Sequence, residues 1–166
     1  MSVRLEGIIL RRKTLREHDL LLSVFSRSEG RLLLVKEKAL KKPQAELDLF
    51  CRNEFILAGL QDFTAIYQVS GLDMFVNLRR SYALLQEAAN AVKTAEKITA
   101  PLQPNPKLYA LLAGFLETLN QTAPDKTALK QLRLNWYADI LHCEGLYDGK
   151  PVTEKSFQLA VVNYRG

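Results

Sequence analysis

Two groups of cations, Arg11-Arg12-Lys13 and Lys36, Lys38, Lys41 and Lys42, have the types and spacing to hold a row of phosphates, each offering a fixed positive charge with N–H donors. With Arg4, Arg16, Arg27 and Arg31 they give the first 42 residues eleven Lys or Arg against five acids (Glu6, Glu17, Asp19, Glu29, Glu37), a net of +6, while the whole chain carries +5. All the remaining residues together are therefore at −1. An excess of one sign confined to one stretch of a folding sequence is the electrostatic footprint of a polyanion binder, and the polyanion it implies is nucleic acid. Arg79-Arg80, further along, could extend the same basic surface.

Catalytic chemistry finds no comparable grouping. The glycines are scattered, with neither the loop plus Lys-Ser or Lys-Thr of a phosphate cradle nor a dinucleotide fingerprint. His18 and His142 lack partners at metal-ligand spacing, and Cys51 and Cys143 lie far apart with no second Cys or His set, so no zinc site and no disulfide framework is expected. Glu17-His18-Asp19 precedes an apolar stretch and reads as a turn, with Asp19 bonding the local backbone. The acids are too dispersed for the clustered carboxylates of a metal-dependent nuclease. The expectation is a binding protein without catalytic residues, cofactor or metal.

The elements that must position these cations change character near residue 75. Val3–Leu10, Leu20–Phe25, Arg31–Val35, Leu49–Leu57 and Phe63–Val69 read as short strands. The second and third flank Ser26-Arg27-Ser28-Glu29-Gly30, whose glycine suits a hairpin loop needing positive φ. The fourth and fifth flank Ala58-Gly59-Leu60-Gln61-Asp62. Lys38–Glu46 reads as a loop, with Pro43 discouraging a central strand. On this reading Arg11-Arg12-Lys13 closes the first strand, and the lysines close the third and enter the loop. Five short strands in about 70 residues suggest a small barrel, because closure removes unpaired edges. Phe25, Phe50, Phe55, Phe63 and Tyr67 fall on strands, and Phe63 and Tyr67 share one face by parity.

Past Met74 the period becomes helical. Leu78, Tyr82, Leu85, Ala89 and Val92 predict a helix over Asn77–Ile98 with those residues facing inward. Prolines at 101, 104 and 106 end it, and helices follow over Pro106–Asn120 and Lys126–Cys143. Asp148–Gly166 shows no decisive period. The fold class is thus α+β, a five-stranded barrel in residues 1–75 and a helical bundle in residues 76–166. No apolar run reaches the roughly 20 residues a membrane span needs, nor is there a signal-peptide core, so a cytoplasmic protein with no membrane partner is expected.

The order of motifs resembles the bacterial recombination mediator family RecO. The likeness runs through Gly7-Ile8-Ile9-Leu10-Arg11-Arg12, Glu17-His18-Asp19-Leu20-Leu21-Leu22, Val24-Phe25-Ser26, Glu29-Gly30-Arg31-Leu32-Leu33-Leu34-Val35 and the basic stretch after it, then Ala45–Phe50 and Leu132–Tyr147. It implies an N-terminal OB-fold with a helical domain, and a bacterial, nucleoid-associated DNA repair protein that binds single-stranded and also double-stranded DNA. Strand annealing and recombinase loading, with a RecR-type partner and single-strand-binding protein, are implied as well. The DNA contacts carried over are Arg11, Arg12, Lys13, Arg31, Lys36, Lys38, Lys41 and Lys42. Many relatives have a four-cysteine zinc element after the third helix, but Asp148–Gly166 holds no cysteine, so none is implied here; relative to the family the chain reads as a short form or a fragment.

Overall fold

A computed structural model describes residues 2–162 and Tyr164. Five strands, β1 (Val3–Leu15), β2 (Asp19–Ser26), β3 (Gly30–Lys36), β4 (Arg52–Leu57) and β5 (Thr64–Asp73), close into a barrel in the order β1-β2-β3-β5-β4. All pairs are antiparallel except β3 with β5, where Leu34 lies opposite Thr64 and Val35 opposite Ala65. One short parallel pairing, β3 with β5, in an otherwise antiparallel Greek-key barrel is the OB-fold arrangement expected from the sequence. Its interior is filled by the alternate residues Leu5 and Ile9 of β1, Leu22 and Val24 of β2, Leu32 and Leu34 of β3, with Phe55, Leu57 and Ile66. Each such side chain contributes about 2 kcal/mol by leaving water.

The first strand runs five residues further than its apolar pattern predicts. Beyond Leu10 it no longer lines the core, so both faces become polar, yet backbone pairing continues from Arg11 opposite Ser23 to Leu15 opposite Asp19. Arg11-Arg12-Lys13 therefore lies within β1 rather than at its end. The expected strand over Leu49–Leu57 starts later, at Arg52, because Phe50 is left-handed (φ 57°), a conformation no strand contains. β5 begins one residue late and runs to Asp73. The loop after β3 carries a 3-10 turn at Ala45–Leu47.

Helices α1 (Tyr82–Ile98), α2 (Pro106–Asn120), α3 (Lys126–Cys143) and α4 (Glu154–Val162) follow. Local chemistry sets their starts: Ser81, Asn105 and Asp125 each accept a bond from the backbone N–H three residues on, and Pro106 occupies the first turn of α2. Because Ser81 caps α1, residues 76–80 form a separate 3-10 turn instead of belonging to one helix from Asn77. The inward stripe of α1 is shifted from the expected one: Leu84, Ala88, Ala91, Val92 and Ala95 are buried, while Tyr82 is 77% exposed. The short α4, without a clear period in the sequence, docks through Phe157, whose ring stacks on Tyr137 at 4.0 Å.

A second core joins barrel and helices. Ile8, Leu10, Phe25 and Phe50, on the barrel's outer side, pack in one cluster with Leu84, Val92, Leu108, Tyr109 and Leu112. Helices thus cover one side of the barrel and leave the other open.

Candidate nucleic-acid interface

Strand register decides which cations share a surface. A bulge in β1 between Ile9 and Arg11 sends two successive residues, Leu10 and Arg11, to the outer side: Leu10 joins the helix-facing core, and Arg11 lies opposite Ser23. Lys13 lies opposite Leu21, which in turn faces Val35, while Ser23 faces Leu33. The outer face therefore runs Arg11 and Lys13, then Ser23 and Leu21, then Leu33 and Val35, and onto β5 beside Ala65.

One end of this barrel gathers the remaining lysines. The β1–β2 turn and the segment after β3 are stitched together: the Leu40 N–H donates to the His18 carbonyl (3.0 Å) and the Lys38 N–H to Asp19 Oδ1 (2.9 Å). Asp19 Oδ1 thus accepts from the backbone at the exit of β3, where the sequence context suggested the backbone of its own turn, and Oδ2 pairs with Arg16 of that turn. Lys38, Lys41 and Lys42 are exposed on that segment, and Lys36 and Lys13 approach the same end from β3 and β1. Among the described residues none of these five lysines forms an ion pair, although Arg11 pairs with Glu96 (3.0 Å), Arg12 with Asp48 (3.3 Å) and Arg16 with Asp19 (3.7 Å).

Two of the expected contact residues are engaged elsewhere. Arg79 points inward: its guanidinium donates to the carbonyls of Met74 (2.8 Å) and Leu49 (3.1 Å) and to Asp48 Oδ2 (3.1 Å), and lies over the Phe50 ring. It ties the 3-10 turn to the barrel, with its guanidinium nitrogens engaged by these partners. Arg31 stands at the far end of β3, about 17 Å of strand from Lys36, and donates to the Thr99 carbonyl (3.1 Å). Its neighbour Gly30 (φ 79°) lies so close to the α1–α2 connection that a Cβ there would meet the Gln103 backbone at 2.4 Å. Both arginines join barrel to helices and lie apart from the lysine-bearing end. Arg80, the last residue of the 3-10 turn, is exposed.

Two exposed aromatic residues border the same outer face, and the sequence alone did not separate them from core. Phe63 is 58% exposed and Tyr67 63%, whereas Phe25, Phe50 and Phe55 are buried. A rim of a different kind lies between β1 and α1, where Leu10, Leu49, Ala89 and Val92 floor a groove of about 570 Å³ edged by Arg11, Arg12, Lys93, Asp48 and Glu96. Cys51 is buried nearby, and burial pushes its thiol up, with Arg79 only partly opposing.

A closed barrel of this strand order, with cations on its open face and one end, belongs to the OB-fold class of ligand-binding modules. Residues 1–75 match the family model described as "Recombination protein O N terminal". Similar curated proteins include "DNA repair protein RecO" of Moorella thermoacetica, 28% identical over 123 residues (72% of this chain, 46% of the relative). Those of Pelotomaculum thermopropionicum (26% over 155 residues, 87% and 60%) and Desulforudis audaxviator (29% over 127 residues, 75% and 50%) bear the same name. The resemblance carried by the ordered motifs is borne out. The chain spans about half the length of the curated relatives it matches.

Proposed function

We propose that the protein binds DNA along the open face and lysine-bearing end of its barrel, and acts in DNA repair as a recombination mediator without catalysing a reaction itself. The single observation that carries this reading is the set of five lysines, Lys13, Lys36, Lys38, Lys41 and Lys42, brought to one end of the barrel with no carboxylate partner among the described residues. Unneutralised cations on a rigid rim release counterions when phosphates replace them. Arg11 and Arg12 flank the path, Arg80 lies beyond it, and the names of the relatives supply the biological setting. Single-stranded DNA is the first substrate and duplex DNA a second. Annealing of complementary strands and loading of a recombinase onto DNA covered by single-strand-binding protein follow, with a RecR-type partner, in the bacterial cytoplasm at the nucleoid. No helix among the described residues is long and apolar enough to cross a membrane.

A salt titration of single-stranded DNA tests the reading. Affinity should fall on a log–log plot with a slope of about −0.7 per phosphate contacted, and replacing Lys38, Lys41 and Lys42 together by Ala should flatten it by about 2. Salt-independent binding would overturn the proposal.

The groove between β1 and α1 favours a second reading, a protein adapter. Its apolar floor and its three basic residues suit a peptide that is acidic and ends in apolar residues, such as the acidic tail of single-strand-binding protein or a segment of a RecR-type partner. Peptide binding lost in Lys93→Glu, in a protein without salt-dependent DNA affinity, would favour the adapter over the mediator.

A further inference from the structure

Three phenylalanines adopt the left-handed backbone conformation that bulky side chains avoid: Phe50 (φ 57°), Phe63 (φ 61°) and Phe75 (φ 48°). Phe50 and Phe75 are 1% and 2% exposed, so burial of their rings offsets the strain. Phe63 has no such offset. Its ring is more than half exposed, yet its backbone is fixed: the Phe63 N–H donates to the Leu33 carbonyl (2.8 Å), and Asp62 Oδ1 accepts from the Leu33 N–H (3.2 Å). The strain of this aromatic residue, pinned to β3 with its ring left in water, is not offset by burial of the ring.

Its surroundings supply a reason. Thr64 lies opposite Leu34, which points into the barrel, so Phe63 and Ala65 belong to the outer parity, level with Leu33 and Val35. Tyr67 falls at the bulge where β5 passes from Ile66 opposite Leu57 to Gln68 opposite Ile56, and it too stands out from the barrel. Half-buried Leu21, Leu33 and Val35 continue this apolar strip across β2 and β3 to Lys13 and Arg11 on β1. Rings on one side and cations on the other match the two halves of a nucleotide whose base is unpaired. A duplex, with its bases stacked inside, has no use for the rings.

We infer that Phe63 and Tyr67 are base-stacking residues, which seat unpaired bases of single-stranded DNA on β5 while Lys13 and the lysine-bearing end hold its phosphates. The inference rests on the DNA-binding reading above and adds to it the site that selects single strands over duplex. Stacking is indifferent to base identity, so selection acts on strandedness and not on sequence. Phosphate and base contacts also separate in their salt dependence, since only the former release counterions.

The test uses the full chain and an oligothymidine of about 16 nucleotides, the upper site size of one OB-fold. Phe63→Gly is the informative variant, because glycine accepts the left-handed conformation and the fold should melt no lower than the parent. Phe63→Gly and Tyr67→Ala should each weaken single-strand binding roughly five- to 150-fold, with the salt slope unchanged and duplex affinity unchanged. Phe63→Trp should keep its affinity, and its new exposed indole should be quenched when the oligonucleotide binds. If both ring deletions leave single-strand affinity intact while the triple lysine variant still flattens the slope, the stacking site is overturned and DNA binding stands. Equal losses on single strand and duplex also overturn it. Wild-type protein without salt-dependent DNA affinity overturns both.

Discussion

The Arg79 guanidinium carbon sits 4.4 Å from the centroid of the Phe50 ring, and the same group bonds the backbone of Leu49 on one side and of Met74 on the other. Phe50 is left-handed at the entrance to β4, and Met74 ends the stretch beyond β5, so a single side chain holds closed the junction through which the barrel passes into the helices. A planar fork with several donors does this where a single ammonium would not. Arg79→Ala should destabilise the protein by about 3 kcal/mol, because carbonyl groups lose their donors and Asp48 loses one of its two cations. Arg79→Lys should recover less than half of this. Denaturant unfolding measures both, and the slope of DNA affinity against salt should not move in either.

Gly30 is the pivot of the other contact between the two halves. An alanine there meets both a positive φ and the Gln103 backbone at 2.4 Å. Since backbone cannot swing aside as a side chain can, Gly30→Ala should cost more than the roughly 1 kcal/mol of the conformational penalty alone. Hydrogen exchange should locate the damage: the Leu102 N–H, which donates to the Arg31 carbonyl at 3.0 Å, should lose protection first.

Tyr109 carries a pH dependence. Its hydroxyl donates to Glu6 Oε2 at 2.6 Å, and Arg52 pairs with the same oxygen at 3.3 Å. Burial first, and then the hydrogen bond to the Glu6 carboxylate and its charge, hold the phenol protonated well above the ordinary tyrosine range. In the unfolded chain the proton leaves near pH 10, whereas the folded protein keeps it, so this group's contribution to stability is complete below pH 10 and declines as pH rises beyond it. Tyr109→Phe should flatten that alkaline decline and cost about 2 kcal/mol at neutral pH, the worth of a hydrogen bond to a charged group. Ultraviolet titration of the folded protein should show this tyrosine ionising last.

The proposed division at residues 75 and 76 separates strands from helices, and the core that bridges it should make them unfold together. Ile8, Leu10, Phe25 and Phe50 pack with helix residues, so the barrel alone would present them to water. A single calorimetric transition for the whole chain, and a barrel fragment that associates or binds hydrophobic dyes, are the expected results. Two separated transitions would contradict a shared core.

How legible these features are from the sequence depends on how local their causes are. The bounds of α2 and α3 coincide with expectation because Asn105-Pro106 and Asp125 act within one turn. β1 outruns its pattern because beyond Leu10 the strand is held by backbone pairing to β2, which leaves no mark on side-chain alternation. The basic character of the barrel's end was visible in composition alone. Arg79 was not separable from its neighbour Arg80, since what distinguishes them is a carbonyl 30 residues away in sequence. Phe63 and Phe55 likewise look alike in a string of residues, and only barrel closure turns one ring out and the other in.

The bulge at Leu10 gives β1 two reading frames. Up to Ile9 the odd-numbered residues face the barrel interior; from Arg11 onward they face out, so one strand supplies core packing with its first half and surface cations with its second. Pairing of the same residues without the bulge would shift the frame, placing Leu10 opposite Ser23 and Arg12 opposite Leu21, where Arg11 and Lys13 now stand. The placement of charge on this surface therefore hangs on a count of residues as much as on their identity.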